Sequence, residues 1–402
     1  ISAQVSPLQV DTLKETKIPD QWDLQSCIDY AKEQNITIRK NRITAVSTQI
    51  DVKTAKAALF PSLSFSTGHQ VVNRPYQETS SRVSGSEIIS SNSKTSYNGN
   101  YGLNASWTLY NGNKRLKTIQ QEKLNNQMAE LDVATSENNI QESIAQVYIQ
   151  ILYAAESVKV NENTLQVSIA QRDRGQELLN AGSIAKSDLA QLEAQVSTDR
   201  YQLVTAQATL EDYKLQLKQL LELDGENEMN IYLPALSDEN VLAPLPTKRD
   251  VYISALSLRP EIEASKLNVE ASELGINIAK SSYFPTISLS AGIGTNHTSG
   301  SDFTFGEQVK NGWNNSIGLS VSVPIFNNRQ TKSAVQKAKL QYETSMLSLL
   351  DEQKALYKTI ESLWLDANSA QQRYAAANEK LKSTQISYEL ISEQFNLGMK
   401  NT

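Results

Sequence analysis

Apolar side chains recur along this chain at two periods: every second residue in four short segments, and every third or fourth residue across several long ones. After Pro61, the residues Leu63, Phe65, Thr67, His69 and Val71 alternate with Ser62, Ser64, Ser66, Gly68 and Gln70. From Tyr97, the residues Tyr101, Leu103, Ala105, Trp107 and Leu109 alternate with Asn98, Asn100, Asn104, Ser106 and Thr108. After Pro285, Ile287, Leu289, Ala291 and Ile293 alternate with Thr286, Ser288, Ser290 and Gly292. After Trp313, Ile317, Leu319, Val321 and Val323 alternate with Ser316, Gly318, Ser320 and Ser322. A period of two belongs to a strand with unlike faces. Strands are therefore predicted at about residues 62–72, 97–109, 286–296 and 313–323.

The odd-numbered face carries no charge in any of the four, and the even-numbered face is almost wholly Ser, Asn, Thr, Gln and Gly. A soluble sheet shows the same alternation but normally sets Lys, Glu, Asp or Arg on its solvent side. About ten residues is also the length of a tilted strand that crosses a bilayer. On this reading Leu63, Phe65, Leu103, Trp107, Leu289, Leu319 and Val321 face lipid, and Ser64, Asn100, Asn104, Ser288 and Ser320 face a barrel lumen. Phe60, Trp107, Tyr110, Phe284 and Phe326 gather near the helix-proximal strand ends, as an interfacial girdle would. Four strands cannot close a membrane barrel, the smallest of which has about eight. An oligomer is implied.

Elsewhere the period is that of coiled coils. Residues 113–181 contain no proline and one interior glycine, Gly175, so a single helix of about 100 Å is predicted there. Ile140, Ile144, Val147, Ile151, Ala154 and Val158 follow a 4-3-4-3-4 spacing. After Gly182 the seam resumes through Leu189, Leu192, Val196, Leu203, Leu210 and Leu217, with Asp199 at one seam position. A second heptad run through Val335, Tyr342, Leu349, Leu356 and Leu363 predicts a helix over residues 328–397. Shorter helices are expected at 24–59 and 248–283. The segments 73–96 and 296–312 read as exposed loops.

These elements occur twice. AKAALFPSLSFSTG (Ala55–Gly68) returns as AKSSYFPTISLSAG (Ala279–Gly292), an offset of 224. GLNASWTLY (Gly102–Tyr110) returns as GLSVSVPIF (Gly318–Phe326), and NAG (Asn180–Gly182) as NLG (Asn396–Gly398), both at 216. The chain then divides into an extended segment 1–22, a first repeat 23–223 with a helical hairpin over 113–223, an irregular linker 224–247, and a second repeat 248–402. Gly182, Ser183, Asp188 and Gly398 mark the hairpin tips. Asp188 has two readings, an acidic constriction when repeated around an axis or a helix-start acid favoured by the dipole. The first tip glycine is followed by a returning helix, the second by four residues, so a further helix of roughly forty residues is expected beyond Thr402.

Composition narrows the function. Hydrophobic residues are 39% and aromatics 7%, too little for several large cores but enough for long helices with narrow seams. A net charge of −6 removes the electrostatic basis for nucleic-acid binding. No apolar run is long enough for a transmembrane helix, and the opening ISAQVSPLQV lacks signal-peptide character, so any signal is expected to have been removed. Cys27 is alone and is expected to be a small hydrophobe on a helix face. His69 on a strand and His297 in a loop offer no metal set. No phosphate loop, nucleophile elbow or carboxylate pair stands out, so no enzyme, metal or cofactor is expected.

The repeated strand pair rooted on coiled-coil hairpins resembles the TolC family of outer-membrane efflux proteins. The matching residues are WDLQSCIDYAKEQN (Trp22–Asn35), both Phe-Pro joints (Phe60–Pro61, Phe284–Pro285), the strand exits SWTLYNG (Ser106–Gly112) and SVPIFNN (Ser322–Asn328), and the tip LLNAGSIAKSDLAQLEAQ (Leu178–Gln195). Thr108 departs from the pattern where the second copy has Pro324. The resemblance implies a mainly α fold with membrane β, four strands per subunit in a trimeric barrel continued by a periplasmic α-helical barrel. It further implies a Gram-negative outer-membrane location and a passive exit duct for drugs, detergents, metals or secreted polypeptides. A periplasmic adaptor and an inner-membrane pump would be its partners. The alternative is a trimeric coiled-coil scaffold with a small soluble β-domain.

Overall fold

The computed structural model describes residues 19–76, 80–84, 87–91, 94–224, 229–234, 241–299 and 303–396. The chain forms two compact units. One comprises Ser47–Met128 with Ser265–Leu350; the other comprises Ile1–Val46, Ala129–Ala264 and Asp351–Thr402.

The first of these holds the sheet. Strands β1 (Ser62–Asn73), β4 (Thr95–Asn111), β5 (Thr286–Thr298) and β6 (Asn314–Ser322) are antiparallel in the order β1-β4-β5-β6. Within the first copy Ser62 pairs with Ser106, and within the second Thr286 pairs with Ser322. Adding 224 to Ser62 and 216 to Ser106 gives the second pair, so both copies share one register. Two elements lie where exposed loops were expected. Residues 73–96 include the ribbon β2 (Ser80–Ser84) and β3 (Glu87–Ser91), whose strands are too short and polar for a period of two to register. Residues 296–312 include the short helix α7 (Phe305–Asn311), started by a capping box in which Thr304 and Glu307 bond each other's backbone amides.

The strand-to-helix corners are also duplicated. Gly112 and Asn113 adopt φ of 67° and 63°, and Asn328 and Arg329 adopt 50° and 65°. Two successive left-handed residues turn each strand exit into a long helix. Gly112 is required at its place, because a Cβ there would lie 2.6 Å from the Ser281 carbonyl oxygen.

The long helices α3 (Lys114–Asn180) and α8 (Gln330–Asn396) have 67 residues each and serve both units. Each predicted short helix is instead a pair: α1 (Leu24–Gln34) and α2 (Ile36–Ala57), α5 (Lys248–Leu258) and α6 (Pro260–Ser281). The second break is dictated by Pro260, which lacks an N–H and disfavours helix at Arg259. At the first break Asn35 does the work. Its Oδ1 accepts from Thr37 N at 2.9 Å, and its Nδ2 donates to Leu220 O at 3.0 Å.

In the second unit the core sits where α1 meets α3 and the end of α4 (Lys186–Leu220): Trp22, Cys27, Ile28 and Ala31 against Ile144, Val147, Tyr148, Ile151, Leu217 and Leu221. Four of these, Ile144, Val147, Ile151 and Leu217, are seam residues of the heptads. A parallel bridge between Trp22 and Ile231 closes this core, and Tyr148 Oη donates to Tyr232 O at 2.5 Å. The stretch 241–247 is strapped along α8. Gln371 donates to the carbonyls of Val241 and Ala243, Trp364 donates to that of Pro246, and Lys248 pairs with Glu361 at 3.1 Å.

Candidate functional site

Antiparallel partners share a face, so the register sorts the strands into rows. Phe65, Leu103 and Ile293 form one row of the odd face, Leu63, Ala105, Ala291 and Ile317 a second, and Trp107, Leu289 and Leu319 a third. The even face carries Ser64, Asn104, Gly292 and Ser316 in one row, Thr108, Ser288 and Ser320 in another, and Asn100 beside Gly68 and Asn296. One residue breaks the parity. A bulge between Thr108 and Tyr110 leaves Leu109 without a partner and pairs Tyr110 with Ile287, itself opposite Val321. Tyr110 thereby joins the apolar face, and the simple odd–even rule stops at Thr108.

Among the described residues no further layer covers either face. Leu63, Phe65, Leu103, Trp107, Leu319 and Val321 are exposed, Leu289 is half-buried, and the hydroxyls and amides opposite are largely exposed too. Side-chain hydroxyls on the even face bond to the neighbouring strand, as Ser290 Oγ does to Gly318 O at 3.3 Å. The four strands contain no Asp, Glu, Lys or Arg. The wall they make is polar on one side and apolar on the other, and charged on neither.

At the helix-proximal end, two side chains anchor the wall to α2. Trp107 Nε1 donates to Leu59 O at 2.7 Å, and Arg115 Nη1 donates to Ala58 O at 2.8 Å while its other amino group reaches the Thr108 carbonyl. These carbonyls at the end of α2 have no helical partner. Arg115 was not singled out from the sequence: it stands two residues after the left-handed corner, between Lys114 and Lys117, and nothing in that basic run marks it from its neighbours.

The hairpin tip is shaped by backbone chemistry. Gly182 takes φ 75°, with Ser183 N donating to Leu178 O and Gly182 N to Leu179 O, the Schellman pattern that ends α3. Asp188 Oδ2 accepts from Ala185 N at 3.1 Å and so caps α4. Its side chain serves the helix start. Gly398 lies outside the described residues. Behind the tip the buried Asp199 accepts from the Ser168 hydroxyl and from Gln195 Nε2, joining α3 to α4 inside the seam.

His297 is in β5, not in a loop: His69 and His297 both pair with Gly99 from opposite sides. Tyr97 contacts both rings, at 5.7 and 5.9 Å between centroids. Among the described residues no cluster of His, Cys, Asp or Glu could hold a metal ion. Burial pushes the Cys27 thiol up to about 12, with Asp23 adding to it. A polar cleft of about 700 Å³ beside α4 is lined by Asp20, Glu211, Lys214 and Lys218, of which Glu211 and Lys214 pair with each other at 2.7 Å.

The chain has recognisable relatives. It is 24% identical over 268 residues to the outer membrane efflux protein BepC of Brucella suis, covering 66% of this chain and 56% of BepC. It is 23% identical to TolC of Escherichia coli K12, covering 64% of this chain and 52% of TolC. It thus spans little more than half the length of these two relatives. A crystallised CusC superimposes with a TM-score of 0.75 at 19% identity, covering 94% of this chain and 83% of CusC. VceC of Vibrio cholerae gives 0.75 at 16% identity, covering 94% and 87%. The fold is therefore TolC-like. The sequence model described as "Outer membrane efflux protein" matches residues 27–222 and 251–402, one segment for each copy of the repeat. With both halves of the chain matched in this way, the protein belongs to the outer membrane efflux protein family.

Proposed function

We propose that this chain is one subunit of a trimeric exit duct in a Gram-negative outer membrane, with the odd face of its sheet against lipid and the even face lining the pore. A sheet whose apolar side stands open carries this reading: Leu63 is 70% exposed, Phe65 67% and Ile317 79%. In water such a face drives aggregation; in hydrocarbon it is at rest. Edges are forbidden there, and β1 and β6 are the open edges of the four-stranded sheet. Three copies supply about twelve strands, enough to close a barrel. The helices continue the duct into the periplasm, where an adaptor and an inner-membrane pump supply cargo and energy.

The duct is passive and assigns no catalytic role to any side chain. A wall of hydroxyls and amides offers weak, exchangeable hydrogen bonds to cargo of either charge. Relatives named for toxin and drug export and for cation efflux share 20% and 25% identity with the chain. The uncharged wall suits such variety.

Reconstitution tests the reading. The protein should resist extraction by high salt, require detergent, and form stepwise conductances in planar bilayers. Release by salt with no conductance would instead identify a soluble coiled-coil scaffold.

A further inference from the structure

The connection between β5 and β6 contains a helix that the duct itself does not require. Strand β6 begins opposite Gly294, so beyond that residue β5 loses its neighbour on this side. Helix α7 takes the vacant place. Gln308 Oε1 accepts from Thr298 N at 2.9 Å, Thr295 Oγ1 donates to Val309 O at 2.8 Å, and the ring of Phe305 meets that of His297 at 5.0 Å. Covering a bare edge explains these bonds. It does not explain the outer surface, where Phe303, Phe305 and Trp313 are 39%, 55% and 56% exposed.

Helix α7 lies along the free edge of β5, with its C-cap Gly312 close to the even-face Asn296 and with the Phe305 ring and the Val309 carbonyl against residues of the odd face. Thr295 and His297 belong to the odd face, the one continuous with Ile293, Leu103 and Phe65. Tyr97 and Tyr101 project from the same face at the same end, both against His69. An aromatic group thus closes the apolar face at the end far from the helices, opposite the row of Trp107 and Tyr110. From Ile287, the partner of Tyr110, to Thr295 the strand runs eight residues. That is about 27 Å along the strand, or roughly 20 Å along the normal at the usual tilt. The height is close to the apolar band of membrane barrels, which aromatic girdles bound on both sides.

We propose that α7 and its flanks form a lipid-binding element, with Phe303, Phe305 and Trp313 seated in the headgroup layer of the outer leaflet. The partner is the lipid surface. The inference rests on the membrane reading of the odd face given above and adds where that face ends. Aromatic rings with a polar rim suit the interface, since they present an apolar body together with a site for water. The polar residues Glu307 and Lys310 lie on the same seven-residue helix.

Spin labels test it in reconstituted full-length protein. Phe305→Cys and Leu103→Cys are labelled separately, each in protein carrying Cys27→Ala, and collision with oxygen is compared with collision with an aqueous nickel chelate. The expected result is a Leu103 label deep in hydrocarbon and a Phe305 label at headgroup depth. A deep Leu103 label with a Phe305 label open to the chelate overturns the inference and leaves the duct intact. A Leu103 label open to the chelate overturns both. Should the labelled variants fold poorly, protein carrying Trp107→Phe and Trp364→Phe offers the same readout through Trp313, since the remaining Trp22 is buried. Quenching of Trp313 by lipids brominated near the headgroup supports the element, and quenching by iodide alone refutes it.

Discussion

Arg329 occupies a backbone conformation that its chemistry disfavours. At φ 65° a side chain crowds the following carbonyl, at a cost of roughly 1–2 kcal/mol. Arg329→Gly removes this crowding but loosens the unfolded chain, so a net gain of about 0.5–1 kcal/mol is expected in denaturant titrations. Gly112, one position ahead of the equivalent site in the first copy, behaves oppositely. Its left-handed φ and the nearby Ser281 carbonyl make Gly112→Ala a loss of about 2 kcal/mol or more. The contrast between the two variants tests the corner geometry itself. Cys27 provides a third measurement. Buried beside Trp22 and Ala31, with its thiol pushed up to about 12, it should react with thiol reagents at neutral pH only as fast as its surroundings open. Rapid labelling of folded protein would show that this core is not closed.

The faces of the sheet can be separated by one residue along β4. On the proposed membrane reading, Leu103→Arg would set a cation against lipid and should cost about 2–4 kcal/mol in a bilayer folding assay, whereas Asn104→Arg, on the face proposed to line the lumen, should cost little. Equal tolerance would mean that the faces are assigned wrongly. The strap over α8 makes a separate prediction. Hydrogen bonds from Lys248 and Tyr357 hold the Glu361 carboxyl below its usual range. A depressed folded-state pKa means a contribution present at neutral pH and lost as pH falls through that value. Acidification, or Glu361→Gln, should therefore loosen the strap and alter the fluorescence of Trp364, which Lys248 overlies at 4.8 Å. Much of this architecture was legible in the sequence. Period and offset together locate four strands and two long helices, because those patterns arise from each segment's own faces. Other features needed partners. The bulge at Leu109 depends on Ile287 opposite Tyr110, and the break at Asn35 on the Leu220 carbonyl. The placement of His297 in β5 depends on Gly99 across the sheet. None of these partners is near in sequence.

A single subunit leaves two bare strands and long apolar helix flanks, with Leu381 and Tyr388 of α8 exposed in the isolated chain. The assembled protein should migrate as a trimer in detergent, and a stable folded monomer in sedimentation would argue against the duct. The shared register of the two copies reaches further than the single chain. β4 and β6 are counterparts, as are β5 and β1, so the seam β4–β5 inside a subunit is a template for the seam β6–β1 between subunits. The barrel would then be quasi-sixfold: three hydrogen-bonded seams within subunits and three between them, built to the same plan. Within the chain Ser106 faces Ser290. Carried over by the two offsets, Ser322 of one subunit should face Ser66 of the next. Ser66→Cys with Ser322→Cys should cross-link neighbours on oxidation, since facing residues lie within disulfide reach, while Ser66→Cys with Ser320→Cys should not. The joint between molecules is in this sense already written within one.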